Sequence, residues 1–459
     1  MKSTTKLKRI ILYWLVIAIS AVILYLGYQW AVSGGDNGAG TLPTPNTQNK
    51  ARITEIMAED LVETDLGGQA VYQWICYFKA EILDGEFQGE IATIRQSIDE
   101  NMIPSSIPVQ EGDEIYVTVN RGEDGSLTGT AGDYVRTTPL YLLVGGFLLL
   151  LLIFGRKKGV NTIISLAFTC LAVFIVFVPA ILNGYNPMPV SILVCIYIIF
   201  MTLLICNGFT FKTAASALGC IGGVLVAGVV SYSMEYILKL TGMVEEQSLL
   251  LTTITENASF DFRGLIFAEI IIGALGAVMD VSMDIASALE ELISKVPELG
   301  FRQIIKSGMK VGRDVMGTMA NTLILAYAGG SLSTIMLITV SGKDLSLILN
   351  GELISVEILK AMAGSIGILF TIPITAIVTA LLHTEGVHWK KRRHRRSSRP
   401  AGAEEVLRQN TSSMEQEPIA LEPAAPSLEE ATTEEKHSES PQGDWSRFQE
   451  IMGNKEKEK

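Results

Sequence analysis

Runs of about 20 predominantly apolar residues recur along this chain, and no other feature restricts its folding as much. In hydrocarbon about 30 Å thick, every backbone N–H and C=O must be satisfied internally, so such runs become helices. Eight can be counted: Ile10 to about Trp30, Pro139 to Phe154, Thr162 to Leu182, Val190 to Cys206, Ala214 to Tyr232, Leu265 to Ile285, Val315 to Val340, and Val356 to Leu382. Composition agrees, with only 18% charged residues against roughly 25% in ordinary globular chains. A plain soluble enzyme is excluded.

The charge is sorted along the chain. Four basic residues, Lys2, Lys6, Lys8 and Arg9, precede the first run with no acid among them. By the positive-inside rule they hold residues 1–9 in the cytoplasm, with an anchor over 10–31. That run exceeds the 7 to 15 apolar residues usual in a signal peptide, so an uncleaved anchor is favoured over cleavage near Ala31-Val32-Ser33. Threading the remaining runs alternately places Arg156 to Lys158, Lys212, the group from Lys295 to Arg313, and Lys390 to Arg396 all on the cytoplasmic side. The run after the last span reads as an anchor on anionic lipid rather than as a nucleic-acid patch.

Polar regions flank the membrane segments. Residues 33–136 carry 18 acidic and 6 basic residues. Within them, alternation such as Ile115-Tyr116-Val117-Thr118-Val119, and turns such as Asp84-Gly85 and Glu111-Gly112, predict a small extracytoplasmic β-barrel or sandwich. Residues 384–459 begin basic and turn acidic, and their Glu, Ser, Pro and Ala content predicts a disordered cytoplasmic tail from 398 onward. Cys76 is the one cysteine of the outer domain, so no disulfide forms inside it. The fold expected is an α-helical membrane bundle of about eight spans, with seven in residues 137–383.

Ionisable groups inside spans are costly and therefore candidates for function. In the sixth run, Glu269, Asp280 and Asp284 fall within about 60° of one another on a helix, and Gly273 and Gly276 share the stripe. Carboxylates there could take up protons or hold a cation, although helix pairing or solvation at the membrane boundary explains them as well. Asp314, Thr318 and Asn321 of the seventh run share a face that could oppose this stripe, or could simply hydrogen-bond between helices. Gly329-Gly330 interrupts the same run, which marks a discontinuous helix, a packing contact or a kink.

All four histidines lie at or beyond His383, so no His-ligated metal site is expected in the membrane. Zinc-protease, nucleophile-elbow and phosphate-loop motifs are missing from the sequence, and neither catalytic residues nor a cofactor are expected.

The motifs Gly273-Ala-Leu-Gly-Ala-Val-Met-Asp280, Ser307-Gly-Met-Lys-Val-Gly-Arg-Asp314 and Gly317-Thr-Met-Ala-Asn-Thr-Leu-Ile-Leu-Ala-Tyr-Ala-Gly-Gly330 resemble the YibE/F family of bacterial multi-pass membrane proteins, and Asn183-Gly-Tyr-Asn-Pro187 fits the same pattern. The resemblance implies the bacterial plasma membrane and supplies no catalytic residue. Two functions are expected from the residues. One is a transporter or exporter with a polar path between the sixth and seventh spans. The other is a platform for envelope assembly or sensing through the outer domain, with a homo-oligomer or an envelope protein as partner.

Overall fold

The computed structural model describes residues 2–33, 48–66, 69–99, 107–122, 125–244, 260–342 and 344–397. Residues 34–47 and the expected tail from 398 lie outside these residues.

Helix α1 (Lys2–Ser33) leads to five strands, β1 (Asn49–Leu66), β2 (Gln69–Ile82), β3 (Ile91–Asp99), β4 (Glu114–Arg121) and β5 (Leu127–Tyr134). They close into a barrel in the order β1-β2-β3-β5-β4, with β3 parallel to β5 and all other pairs antiparallel. The sequence left barrel and sandwich open, and the structure has the barrel. Closure is possible because β1 is long and carries irregularities between Ile53 and Glu55 and between Ile56 and Ala58, which bend it so that one strand pairs with both β2 and β4. Alternation supplies the core: Ile53, Phe78, Ile82, Ile94, Ile115 and Val117 are buried.

The membrane region follows directly. Its helices are α2 (Thr137–Leu182), α3 (Pro187–Asn207), α4 (Phe211–Ile237), α5 (Phe262–Lys295), α6 (Phe301–Gly330), α7 (Leu332–Val340), the short α8 (Leu345–Leu349) and α9 (Glu352–Ser397). Local chemistry sets their starts. Asn186 accepts a bond from the Met188 N–H at 2.9 Å, with Pro187 opening α3, and Asp261 accepts from the Gly264 N–H at 3.0 Å to open α5.

Among the described residues, six helices are long and apolar enough to cross a membrane, or seven if the bent pair α6 and α7 forms one span. The difference from the eight runs of the sequence lies in α2, which joins the second and third runs. Arg156 breaks α2 with φ 48° and ψ −122°. A Cβ on Gly159 would strike the Leu151 carbonyl, although eight residues of straight helix would separate them by about 12 Å. The chain therefore turns sharply on itself at Arg156. Helix α5 continues past the sixth apolar run to Lys295, and the interruption expected at Gly329-Gly330 is a break at which α6 and α7 meet at 60°.

Contacts at both ends of the helices define two sides. On one, Tyr13 donates to Asn161 at 3.0 Å and Asn161 donates to the Ile205 carbonyl at 3.0 Å, and this side carries Arg156 to Lys158, Lys212 and Lys295. On the other, Asn183 donates to the Ala31 carbonyl at 2.9 Å and Tyr185 lies 4.3 Å from Trp30, ring to ring. In the bundle, α4 meets α9 through glycines. Cβ atoms on Gly219, Gly222 and Gly223 would run into Thr375, Ile374 and Thr371, so these backbones approach as only small residues allow.

Two outcomes are expected. Gly223→Leu abolishes accumulation of folded protein in membranes, whereas Gly276→Ala, which meets nothing within 4 Å, leaves it at the wild-type level, as read by size-exclusion profile in detergent. In the barrel, Cys76 is fully buried, and burial, with a smaller contribution from Glu59, raises its thiol above the usual range. A maleimide should therefore leave Cys76 largely unmodified in native membranes and label it once the protein is unfolded in denaturant.

Candidate functional site

Helix α6 ends where its sequence loses side chains. Gly329 and Gly330 complete it, Ser331 leaves helical geometry at φ −95° and ψ 13°, and the chain bends into α7. At this break the Ser331 hydroxyl donates to a carboxylate oxygen of Glu357, on the second turn of α9. Three residues on, and so on the same face, Lys360 donates to the other Glu357 oxygen at 3.2 Å. The Lys360 ammonium also lies 2.8 Å from Glu269 of α5. One lysine thus joins α5 and α9, and through Glu357 it reaches the α6–α7 junction.

Lys360 is 8% exposed and lies about 12 Å along α9 from Glu352, at 1.5 Å per residue. At that depth a lone ammonium would be expensive, and two carboxylates with a helix C-terminus nearby are what stabilise it. Glu357 is mostly buried while the Glu269 side chain is half exposed, so the cluster has an inner and an outer carboxylate. Beside it stands Tyr327. Its hydroxyl oxygen is buried with no hydrogen-bond partner among the described residues and lies 2.5 Å from where a Cβ on Gly273 would be. Glycine at 273 therefore makes the room that this tyrosine occupies.

The residues singled out by sequence are placed as follows. Glu269 belongs to the cluster. Gly273, Gly276, Asp280 and Asp284 continue its stripe down α5, and all four are exposed in the single chain. Asp314, Thr318 and Asn321 do share a face of α6, but that face does not oppose the α5 stripe. All three are exposed, and the Thr318 hydroxyl donates back to the Val315 carbonyl at 2.8 Å. What packs α6 between α5 and α9 is apolar: Ile304 and Leu323, with Gly308 and Gly312, meet Leu289, Ala274, Ile372 and Ala376. Along this stretch α6 turns its small and aliphatic side to α5 and α9, and Asp314, Thr318 and Asn321 are not brought to the α5 stripe.

Sequence reading passed over Lys360, Glu357, Ser331 and Tyr327. A signal was present: Lys360 lies inside the eighth apolar run, three residues after a glutamate. Glu235 of α4 was also missed. It is 3% exposed and accepts a bond from Ser231 at 2.6 Å. Near it in the chain, Thr241 donates to Glu352 at 2.9 Å and the Gly242 N–H at 2.9 Å, which fastens the end of α4 to the start of α9. Among the described residues no group of three or more His, Cys, Asp or Glu side chains is arranged to hold a metal ion.

Removing the lysine tests the cluster's energetics. Lys360→Met should cost about 3 kcal/mol, since it leaves two carboxylates facing each other without their cation. Adding Glu357→Gln should restore part of that loss. Unfolding in detergent, followed by tryptophan fluorescence, measures both.

A family model described as YibE/F-like protein matches residues 143–385. No curated protein and no solved structure matches the chain. The match takes in the cluster, the broken α6–α7 pair and the glycine-packed helices around them. The chain belongs to the YibE/F-like family.

Proposed function

We propose that this protein is a transporter or exporter of the bacterial plasma membrane, and that its working site is the Ser331–Glu357–Lys360–Glu269 cluster at the break of α6. The observation that carries the reading is a buried lysine shared by two carboxylates beside a discontinuous helix. Ionisable groups at membrane depth mark ion and substrate pathways, and interrupted helices supply free backbone groups for binding. A cluster with one cation and two anions has an odd charge, which a proton or a monovalent cation would neutralise. Its hydrogen bond to Ser331 links that charge to the angle between α6 and α7.

The topology that fits this reading has eight crossings, with α2 counted as two on either side of Arg156 and α6 with α7 as one. Both termini are then cytoplasmic, the barrel is extracytoplasmic, and every basic cluster lies inside. Helix α1 is bonded to the bundle near both its ends, as an anchor that stays in place would be. The run Lys390 to Arg396 would engage anionic lipid at the inner surface. The reading assigns no catalytic residue. A second reading, a platform for envelope assembly or sensing, is favoured by one observation: the barrel has a core of its own, independent of the bundle's.

Proteoliposomes carrying the full chain and an internal pH dye test the first reading. Under an imposed gradient of protons, Na⁺, K⁺ or Mg²⁺, the wild type should conduct at least one cation or exchange it for protons. Glu357→Gln should lower that flux by an order of magnitude or more. Absence of any gradient-driven flux in the wild type would overturn the proposal.

A further inference from the structure

Two polar faces of the bundle are exposed, with no described residue covering them. The first is the α5 stripe below the cluster, with Gly276, Asp280 and Asp284 exposed. The second is the outer face of α6. There Lys310, Asp314, Gly317 and Asn321 fall within about 60° of one another, and all four are exposed. Elsewhere, the exposed faces of α1 and of α2 before Arg156 are lined by Leu, Ile, Val, Phe and aromatic residues. Lipid suits those faces. It does not suit a carboxylate or a primary amide, which is costly to leave in hydrocarbon without a partner.

The two polar faces match each other in depth and in chemistry. Helices α5 and α6 run antiparallel, since Gly273 lies at Tyr327 and Leu289 at Gly308. That register puts Gly276 level with Asn321, Asp280 with Thr318 and Asp284 a turn from Lys310. The α5 stripe offers acceptors and glycines, while the α6 face offers the Asn321 amide and the Lys310 ammonium, with the Asp314 carboxylate one turn from Lys310 on the same face. Within one chain they cannot meet, because α6 presents its other side to α5. A two-fold axis along the membrane normal preserves depth and antiparallel direction, so it would bring the α5 of one copy against the α6 of another, twice.

We infer that a second copy of this chain covers these faces, making a two-fold dimer in which α5 of each protomer packs on α6 of its partner. Gly276 and Gly317 let the helices approach closely, as small residues do in membrane pairs. At the opposed level, the Asn321 amide sits over Gly276, where a Cβ would meet nothing within 4 Å. It is placed there to donate toward Asp280, and at the inner boundary Lys310 sits between Asp314 of its own helix and the partner's Asp284. The inference stands on the exposed faces alone and does not depend on the transport reading.

Disulfide trapping in native membranes tests it with the full-length chain, after replacing the more accessible Cys170 and Cys206 by serine. Two differently tagged copies are expressed together, one with Gly276→Cys and the other with Asn321→Cys. Mild oxidation should give a mixed-tag dimer, and the pair Leu142→Cys with Asn321→Cys should not, because Leu142 lies on the apolar exposed face of α2. Single-molecule photobleaching of the wild type should show two steps per particle, and Asn321→Leu should weaken association about threefold or more. Single-step bleaching of the wild type would overturn the dimer. So would trapping no stronger than with Leu142→Cys, or labelling of Cys at 276 and 321 by a membrane-impermeant thiol reagent, which would make the faces an open aqueous path instead.

Discussion

A lysine inside an apolar helix has to be neutralised by protein, and the arrangement around Lys360 follows from that requirement. Its ammonium draws Glu269 from α5 and Glu357 from its own helix, and Glu357 in turn holds Ser331 at the end of α6. Without those partners α9 could not keep a charge at this depth. Neither could the α6–α7 break keep its polar atoms away from lipid. The glycines do the complementary work. They remove side chains where α4 crosses α9 and where Tyr327 leans over α5, so helices come close enough for the polar groups to reach one another.

The same constraint divides the surface of the bundle. Faces lined by aliphatic and aromatic residues need no protein partner in a bilayer, and much of α1 and α2 is of this kind. Faces that carry Asp280, Asp284 and Asn321 do need one. Their exposure in the single chain and the mainly apolar contact between α5 and α6 belong together: α6 can bury only one side against α5 and α9, and it buries the apolar one.

Much of this was legible in the sequence, but unevenly. Apolar length located the helices, and the positions of Arg156, Lys212 and Lys295 grouped their ends on one side. Gly329-Gly330 marked the break, and alternation with turn residues marked the strands of the barrel. The direction in which each helix faces was not legible. In a soluble protein an apolar stripe points to the core, whereas in a bilayer both the core side and the lipid side are apolar. Helical spacing therefore gave the right angle between Asp314 and Asn321 and the wrong neighbour. Lys360 was overlooked because its partner from outside α9, Glu269 on α5, is 91 residues away in the chain. In α2, apolar composition ran through the turn at Arg156, so two runs became one interrupted helix.

The central claim is that the charge of Lys360 and the geometry of the α6 break are one coupled unit. A double-mutant cycle with Ser331→Ala and Lys360→Met, read as unfolding free energy in detergent, measures that coupling directly. The account predicts an interaction of about 0.5 kcal/mol or more, because both residues act on the same Glu357 carboxylate. Strict additivity of the two substitutions would show that lysine and break are independent, and would contradict it.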